Sequence, residues 1–142
     1  MDYDRPEFLI TTDLPRFDFG FVCRALHTTP WARERPDEVI VESFKQSLSF
    51  GVFEKKTGRQ VGFARVITDT VVRSMIEDVF IDGAYRGRGL GKWLVACMVS
   101  HPQVSRTKCR LATRDAHGLY EKYGFEREEV MRRYPGPLPS EP

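Results

Sequence analysis

Apolar and polar positions along this 142-residue chain fall into short blocks of two different periods. Residues 8–12 alternate modestly, as a strand does, and Pro15 then opens an apolar helical stretch through Phe19, Val22, Cys23 and Leu26 that should end near Thr29 and Pro30. Pro36, with Asp37 and Glu38 behind it, predicts the first turn of a second helix through Val39, Ile40, Phe44 and Leu48. Residues 49–55 and 60–68 read as strands flanking a turn at 56–59, an antiparallel pair, and residues 74–81 as a third strand. A glycine-rich stretch over 82–91 then leads into a helix over 90–100, apolar around most of its girth, as expected of a helix lying on a sheet. Residues 108–113 read as another strand, Asp115 as the N-cap of a helix through Tyr120, Gly124 as the glycine that ends it, and residues 129–134 as a last short strand. This order predicts a mixed α/β sheet in one domain, ordered over about 8–134, with a proline-rich tail at 135–142.

Composition narrows the class. Hydrophobic residues make up 41% and glycine adds 11 residues, the balance of a globular protein large enough to hold its core without a disulfide or metal staple. The three cysteines, Cys23, Cys97 and Cys109, are an odd number without CxxC spacing, which argues against a disulfide framework and a zinc site and for a reducing, cytoplasmic setting. No run approaches the roughly 20 apolar residues of a membrane helix, and the start, Met1-Asp2-Tyr3-Asp4, lacks the regions of a signal peptide. With 22 basic against 20 acidic residues the net charge of +2 is too small to suggest nucleic acid or a membrane surface as the main partner. Any anion site must be local.

Residues 86–91, Arg-Gly-Arg-Gly-Leu-Gly, stand where such a site could form. A loop between an apolar strand and a buried helix points free backbone N–H groups and the helix N-terminus at one place. Gly87, Gly89 and Gly91 would let the backbone approach a pyrophosphate, and Arg86, Arg88 and Lys92 add positive charge. The plainer reading is a sharp turn with solvated arginines. Two familiar phosphate loops fail: a Walker A loop needs Ser or Thr after its lysine, where Lys92 precedes Trp93, and a dinucleotide GxGxxG would need glycine at Lys92 or Leu94.

The spacing Arg86-x-x-Gly89-x-Gly91, preceded by Ile-Glu-Asp-Val-Phe-Ile at 76–81 and followed by an apolar helix, resembles the acyl-CoA pyrophosphate motif of the GNAT superfamily of N-acyltransferases. A second block supports it: residues 115–125, with their Tyr-x-x-x-Gly-Phe ending, look like the family's C-terminal helix. The resemblance covers about residues 8–134. It implies an α/β (α+β) fold in a single domain, a mixed, mostly antiparallel sheet of six to seven strands splayed between the two strands that hold CoA, and about four flanking helices. It also implies acetyl-CoA as cosubstrate, a small-molecule amine as acceptor, and a tendency to homodimers.

Residue by residue, the resemblance implies that the pantetheine arm lies between the strands at 74–81 and 108–113, with the thioester beside Val79 and Phe80 and the arm continuing past Ile81. The pyrophosphate would sit on the N–H groups of Arg86, Gly87, Arg88, Gly89, Leu90, Gly91 and Lys92. Thr113 stands where many members carry an asparagine that touches the arm, so that contact is weaker or different here.

An alkylamine is only about one part in a thousand deprotonated near pH 7, so transfer needs a base. Glu77 and Asp78, adjacent in an apolar strand, should point to opposite faces. The pair is similar to that of polyamine and related small-amine acetyltransferases, which implies Glu77 as base and Asp78 as the holder of a cationic acceptor. Both could equally be structural carboxylates paired with Arg65 or Arg73. Tyr120 occupies the position of the family's general acid, Tyr123 reads as structural, and His117 is a second candidate base or a surface histidine. Protein-lysine or N-terminal acetylation, and a non-catalytic acyl-CoA-binding sensor, are the competing readings. The stretch containing Trp31, Arg33, Arg35, Glu42 and Phe44 falls where the family builds its acceptor pocket, and sequence assigns no role within it.

Overall fold

The structure, a computed structural model, describes residues 1–140. Six strands lie side by side in chain order: β1 (Asp2–Asp4), β2 (Phe8–Thr11), β3 (Leu48–Glu54), β4 (Gln60–Thr68), β5 (Arg73–Ile81) and β6 (Lys108–Arg110). The first five pair antiparallel and β6 joins β5 in parallel. Four helices flank them: α1 (Phe19–Leu26), α2 (Asp37–Lys45), α3 (Leu90–Ser100) and α4 (His117–Glu121). The α/β class and the mixed, mostly antiparallel sheet are as the sequence implies.

Side-chain alternation gives the sheet two buried faces. One, with Ile10, Phe50, Val52, Ala64, Val66 and Ile76, packs on Leu90, Leu94 and Met98 of α3. The other, with Phe53 and Phe63, packs on Val22 and Leu26 of α1 and on Ile40 and Phe44 of α2. Such a three-layer arrangement gives each element an apolar partner and leaves only the strand ends and connecting loops for chemistry.

Several boundaries differ from expectation. The helix expected from Pro15 is a single 3-10 turn (Leu14–Arg16), and α1 starts only after Asp18, whose carboxylate accepts from the Phe21 N–H at 3.1 Å. Pro36 caps α2 rather than joining it, and the helix stops at Lys45 instead of reaching Leu48 because Leu48 is already in β3. β1 was not foreseen. The strand expected at 129–134 does not form: residues 125–134 carry no regular structure, and Glu128 is held by Arg110 (2.9 Å) and Lys108 (3.5 Å) of β6 through side chains, not a backbone ladder. Prolines at 135, 137 and 139 oppose strand pairing just beyond. Of the proline-rich tail, residues 141 and 142 lie outside the described residues.

Candidate active site

The two strands expected to part do so. β5 pairs with β6 only at Arg73, Ser74 and Met75, whose partners are Lys108, Cys109 and Arg110. Beyond Arg110 the chain leaves the sheet, and the Thr113 hydroxyl accepts from the Ala116 N–H at 3.0 Å, turning it into α4. The expected strand 108–113 is therefore three residues long, and the N-cap of the helix is Ala116, without a side-chain cap bond, rather than Asp115. Among the described residues, no strand lies beside the outer edge of β5 from Ile76 to Ile81.

In that free segment β5 carries a bulge. Phe63 pairs with Phe80 and Arg65 with Glu77, so two steps along β4 match three along β5. The extra residue is Asp78, whose backbone is left-handed at φ +54°, a conformation to which Asp is better suited than most L residues. Its insertion corrects the expectation that Glu77 and Asp78 point to opposite faces. Glu77 is paired with Arg65 and shares its face, and Asp78 reaches Arg65 as well, so the two carboxylates lie on one face. After the bulge Val79 and Ile81 turn toward the α3 core, while Phe80 stacks on Phe63 with centroids 5.3 Å apart.

Asp78 has no side-chain exposure. One carboxylate oxygen accepts from Trp31 Nε1 at 2.9 Å; the other accepts from Arg35 Nη1 at 2.9 Å and Arg65 Nε at 2.8 Å. Three of the carboxylate's roughly four acceptor positions are taken, two of them by guanidinium groups, so Asp78 is paired with Arg65 as its structural reading allows, and one position remains on the oxygen bonded to Trp31. Trp31 and Arg35 were named in the sequence without a role. They reach Asp78 from 47 and 43 positions away, and no local pattern announces such a contact; only Arg65, a charge inside an apolar strand, is a visible signal.

Glu77 beside it is half-buried. Loss of solvent, then the Asp78 charge, push its carboxyl up from the usual range, against an opposite pull from Arg65 and Arg35. Tyr120, buried in α4, has its phenol pushed up by burial. Tyr123 donates its hydroxyl to the Lys92 carbonyl at 2.8 Å and so ties α4 to the first turn of α3, a structural role. His117 opens α4 and is half-buried. Burial pushes the thiols of Cys97 and Cys109 up to about 11, which leaves them protonated and poorly nucleophilic at neutral pH.

The glycine-rich loop ends in α3 with Gly89 as cap, at φ +75°, and Gly87 at φ +80°. Among the described residues, the N–H groups from Gly87 to Lys92 have no backbone acceptor: the first bond of the helix runs from Trp93 to the Gly89 carbonyl, at 3.1 Å. A Cβ built at Gly87, Gly89 or Gly91 would meet nothing within 4 Å, so the loop faces open space. Arg86 is anchored to the Ile81 carbonyl at 3.2 Å, Arg88 lies over the Tyr85 ring at 5.4 Å, and Lys92 is exposed, while Leu90 is buried and can offer only its backbone. Unpaired donors, a helix N-terminus and three cations around a clear space fit a pyrophosphate.

Comparison with known proteins points to one family. Residues 46–127 match the model of an acetyltransferase (GNAT) domain. A solved structure from Xanthomonas campestris pv. campestris, placed in the GNAT acetyltransferase family, is 38% identical, with 92% of this chain and 95% of that one covered and a TM-score of 0.84. The glucosamine-6-phosphate N-acetyltransferase of Arabidopsis thaliana, at 22% identity, 89% and 97% coverage and a TM-score of 0.67, shares the fold. A curated Gibberella zeae protein named as an acetyltransferase is 25% identical over 112 residues, and the match spans 66% of this chain and 63% of that relative.

Proposed function

Because the chain belongs to the GNAT acetyltransferase family, we propose that it transfers an acetyl group from acetyl-CoA to the primary amine of a small molecule, by direct attack in a ternary complex. The observation that carries the reading is the join of three features at one end of the sheet: an unpaired β5 edge, a row of unpaired N–H groups at 87–92, and Glu77 and Tyr120 on the elements that border them.

In this reading the N–H groups of residues 87–92, with Arg86, Arg88 and Lys92 around them, hold the pyrophosphate, and the arm runs along Val79, Phe80 and Ile81 toward Thr113. Glu77 takes the proton that the nitrogen loses as its bond to the acetyl carbon forms. The attacking nitrogen is the neutral amine, and the raised proton affinity of Glu77 suits it to take the one proton that amine gives up. The carbon–sulfur bond then breaks, and the leaving thiolate takes a proton from the Tyr120 hydroxyl, which burial keeps protonated until it is needed. The products are the amide and CoA. No thiol needs to be acylated, in keeping with the protonated state of Cys97 and Cys109. The three free cysteines fit a reducing, cytoplasmic setting. Val130, Met131 and Tyr134, exposed beyond Phe125, offer apolar surface for a homodimer.

The test is mass-spectrometric detection of acetylated product after incubation with acetyl-CoA and a panel of small amines, amino acids and lysine peptides. Product from a small amine supports the reading. Product from peptides alone moves the assignment to protein acetylation, and acetyl-CoA binding without product from any acceptor leaves the sensor module.

A further inference from the structure

Arg65, Ile67, Met75 and Glu77 share one face of the sheet. The register pairs Arg65 with Glu77 and Ile67 with Met75, and alternation sends Val66 and Ile76 to the α3 core on the other face. Helices α1 and α2 lie on the same face as Glu77, but over its Phe63 end, beyond the bulge. The end before the bulge is open: Ile67 is 48% exposed and Met75 40%, and Val71 and Val72 at the hairpin tip are exposed as well. Single apolar side chains in water need no explanation, but a cross-strand pair continued by two valines is a patch, and such a patch marks a contact.

The position of the patch tells what it contacts. Met75 stands two residues before Glu77 on the same strand and face, about 7 Å from it. In the acetyl-transfer reading the CoA arm takes β5 beyond the bulge, along Val79–Ile81, and the acceptor nitrogen meets Glu77 beside it. An acceptor body that runs from that nitrogen along the strand, away from CoA, lies over Met75 and Ile67.

Charge selects the chemistry of that body. Arg73 follows Met75 on the same face, and Lys108 and Arg110 of β6 stand opposite Arg73 and Met75. Glu128 offsets one of these three charges. A second ammonium group on the acceptor would meet net positive charge there, whereas an alkyl body gains by covering the two exposed side chains.

We infer that Met75 and Ile67 form the subsite for the body of the acceptor, and that the acceptor is a monoamine with an apolar body. The inference rests on the acetyl-transfer reading above and adds the class of acceptor and the two residues that select it.

The experiment measures kcat/KM for propylamine, pentylamine, heptylamine and spermidine with the wild-type protein, Met75→Ser, Ile67→Ser and Met75→Leu. In the wild type the value should rise about twofold with each methylene, since a surface open to water on one side returns part of the worth of full burial. Heptylamine should exceed spermidine by about tenfold or more. The two serine variants should flatten the series, with the change in KM rather than kcat. Met75→Leu, which keeps the apolar surface, should retain the slope and guards against a folding defect in the serine variants. No dependence on chain length, an unchanged slope in both serine variants, or better use of spermidine overturns the inference while acetyl transfer stands. A Met75→Ser variant that turns a dimer into a monomer by light scattering, with the slope unchanged, assigns the patch to a second copy of the chain and also overturns it. If acetyl-CoA binds and no acceptor of any class is acetylated, the acetyl-transfer reading fails and takes the inference with it.

Discussion

The Phe125 N–H donates to the Tyr120 carbonyl at 3.2 Å, and the two rings meet edge to face with centroids 5.6 Å apart. Gly124 between them, at φ +85°, donates to the Glu121 carbonyl at 3.1 Å. These bonds make a Schellman cap with its accompanying hydrophobic contact, so the Tyr-x-x-x-Gly-Phe spacing is a device that locks the tyrosine. Gly124→Ala puts a Cβ on a left-handed residue at a cost of about 1–2 kcal/mol. The expected result is a lower urea midpoint, and a larger fall in turnover than in acetyl-CoA affinity.

Gly89 caps α3 with left-handed backbone in open surroundings. Gly89→Val adds no clash, so the protein stays folded, but a β-branched residue resists φ near +75° and the N–H groups lose their common direction. Calorimetric titration with acetyl-CoA should show binding lost while the circular dichroism spectrum is kept. Normal binding would remove the loop from the pyrophosphate site.

Glu77 has its carboxyl raised in the folded protein, mainly by burial. Its charged form is therefore disfavoured in the native state, and the protein loses stability as pH climbs from the ordinary glutamate range through the raised value. Glu77→Gln removes that penalty. The variant should melt higher than wild type at pH 7, with the gap closing below about pH 4, and should lose the acid limb of the kcat/KM profile, which in wild type lies above the ordinary carboxylate range.

At Asp78 the expected effect runs the other way. Asparagine tolerates a left-handed backbone, so Asp78→Asn keeps the bulge but leaves Arg65 and Arg35 without their countercharge. Breaking a fully buried pair costs about 3–5 kcal/mol; with Arg35 24% exposed, a loss of about 2–3 kcal/mol is expected in urea unfolding.

Much of this was legible in advance because it is local. The β4 strand and α3 fall at their expected residues, since alternation in one and continuous apolarity in the other are carried by neighbours in sequence. The glycine loop and the Tyr120 cap are likewise short-range devices. The bulge was not legible, because a strand with one extra residue reads the same as a regular one until its partner's register is known. That single residue brings Glu77 and Asp78, expected on opposite faces, onto one. The Trp31 and Arg35 contacts were hidden by distance along the chain. β1 was missed because Asp-Tyr-Asp carries no strand pattern of its own, and the strand expected at 129–134 does not form although β6 ends the sheet, the approach to β6 being made by the Glu128 side chain instead of a backbone ladder.

The central claim is amine acetylation in which Tyr120 protonates the leaving thiolate, and its most direct test is CoA release from acetyl-CoA by wild type and Tyr120→Phe with the same acceptor, beside the acetyl-CoA affinity of each. The account predicts turnover lower by about tenfold or more in the variant with affinity nearly unchanged. Equal turnover would contradict it.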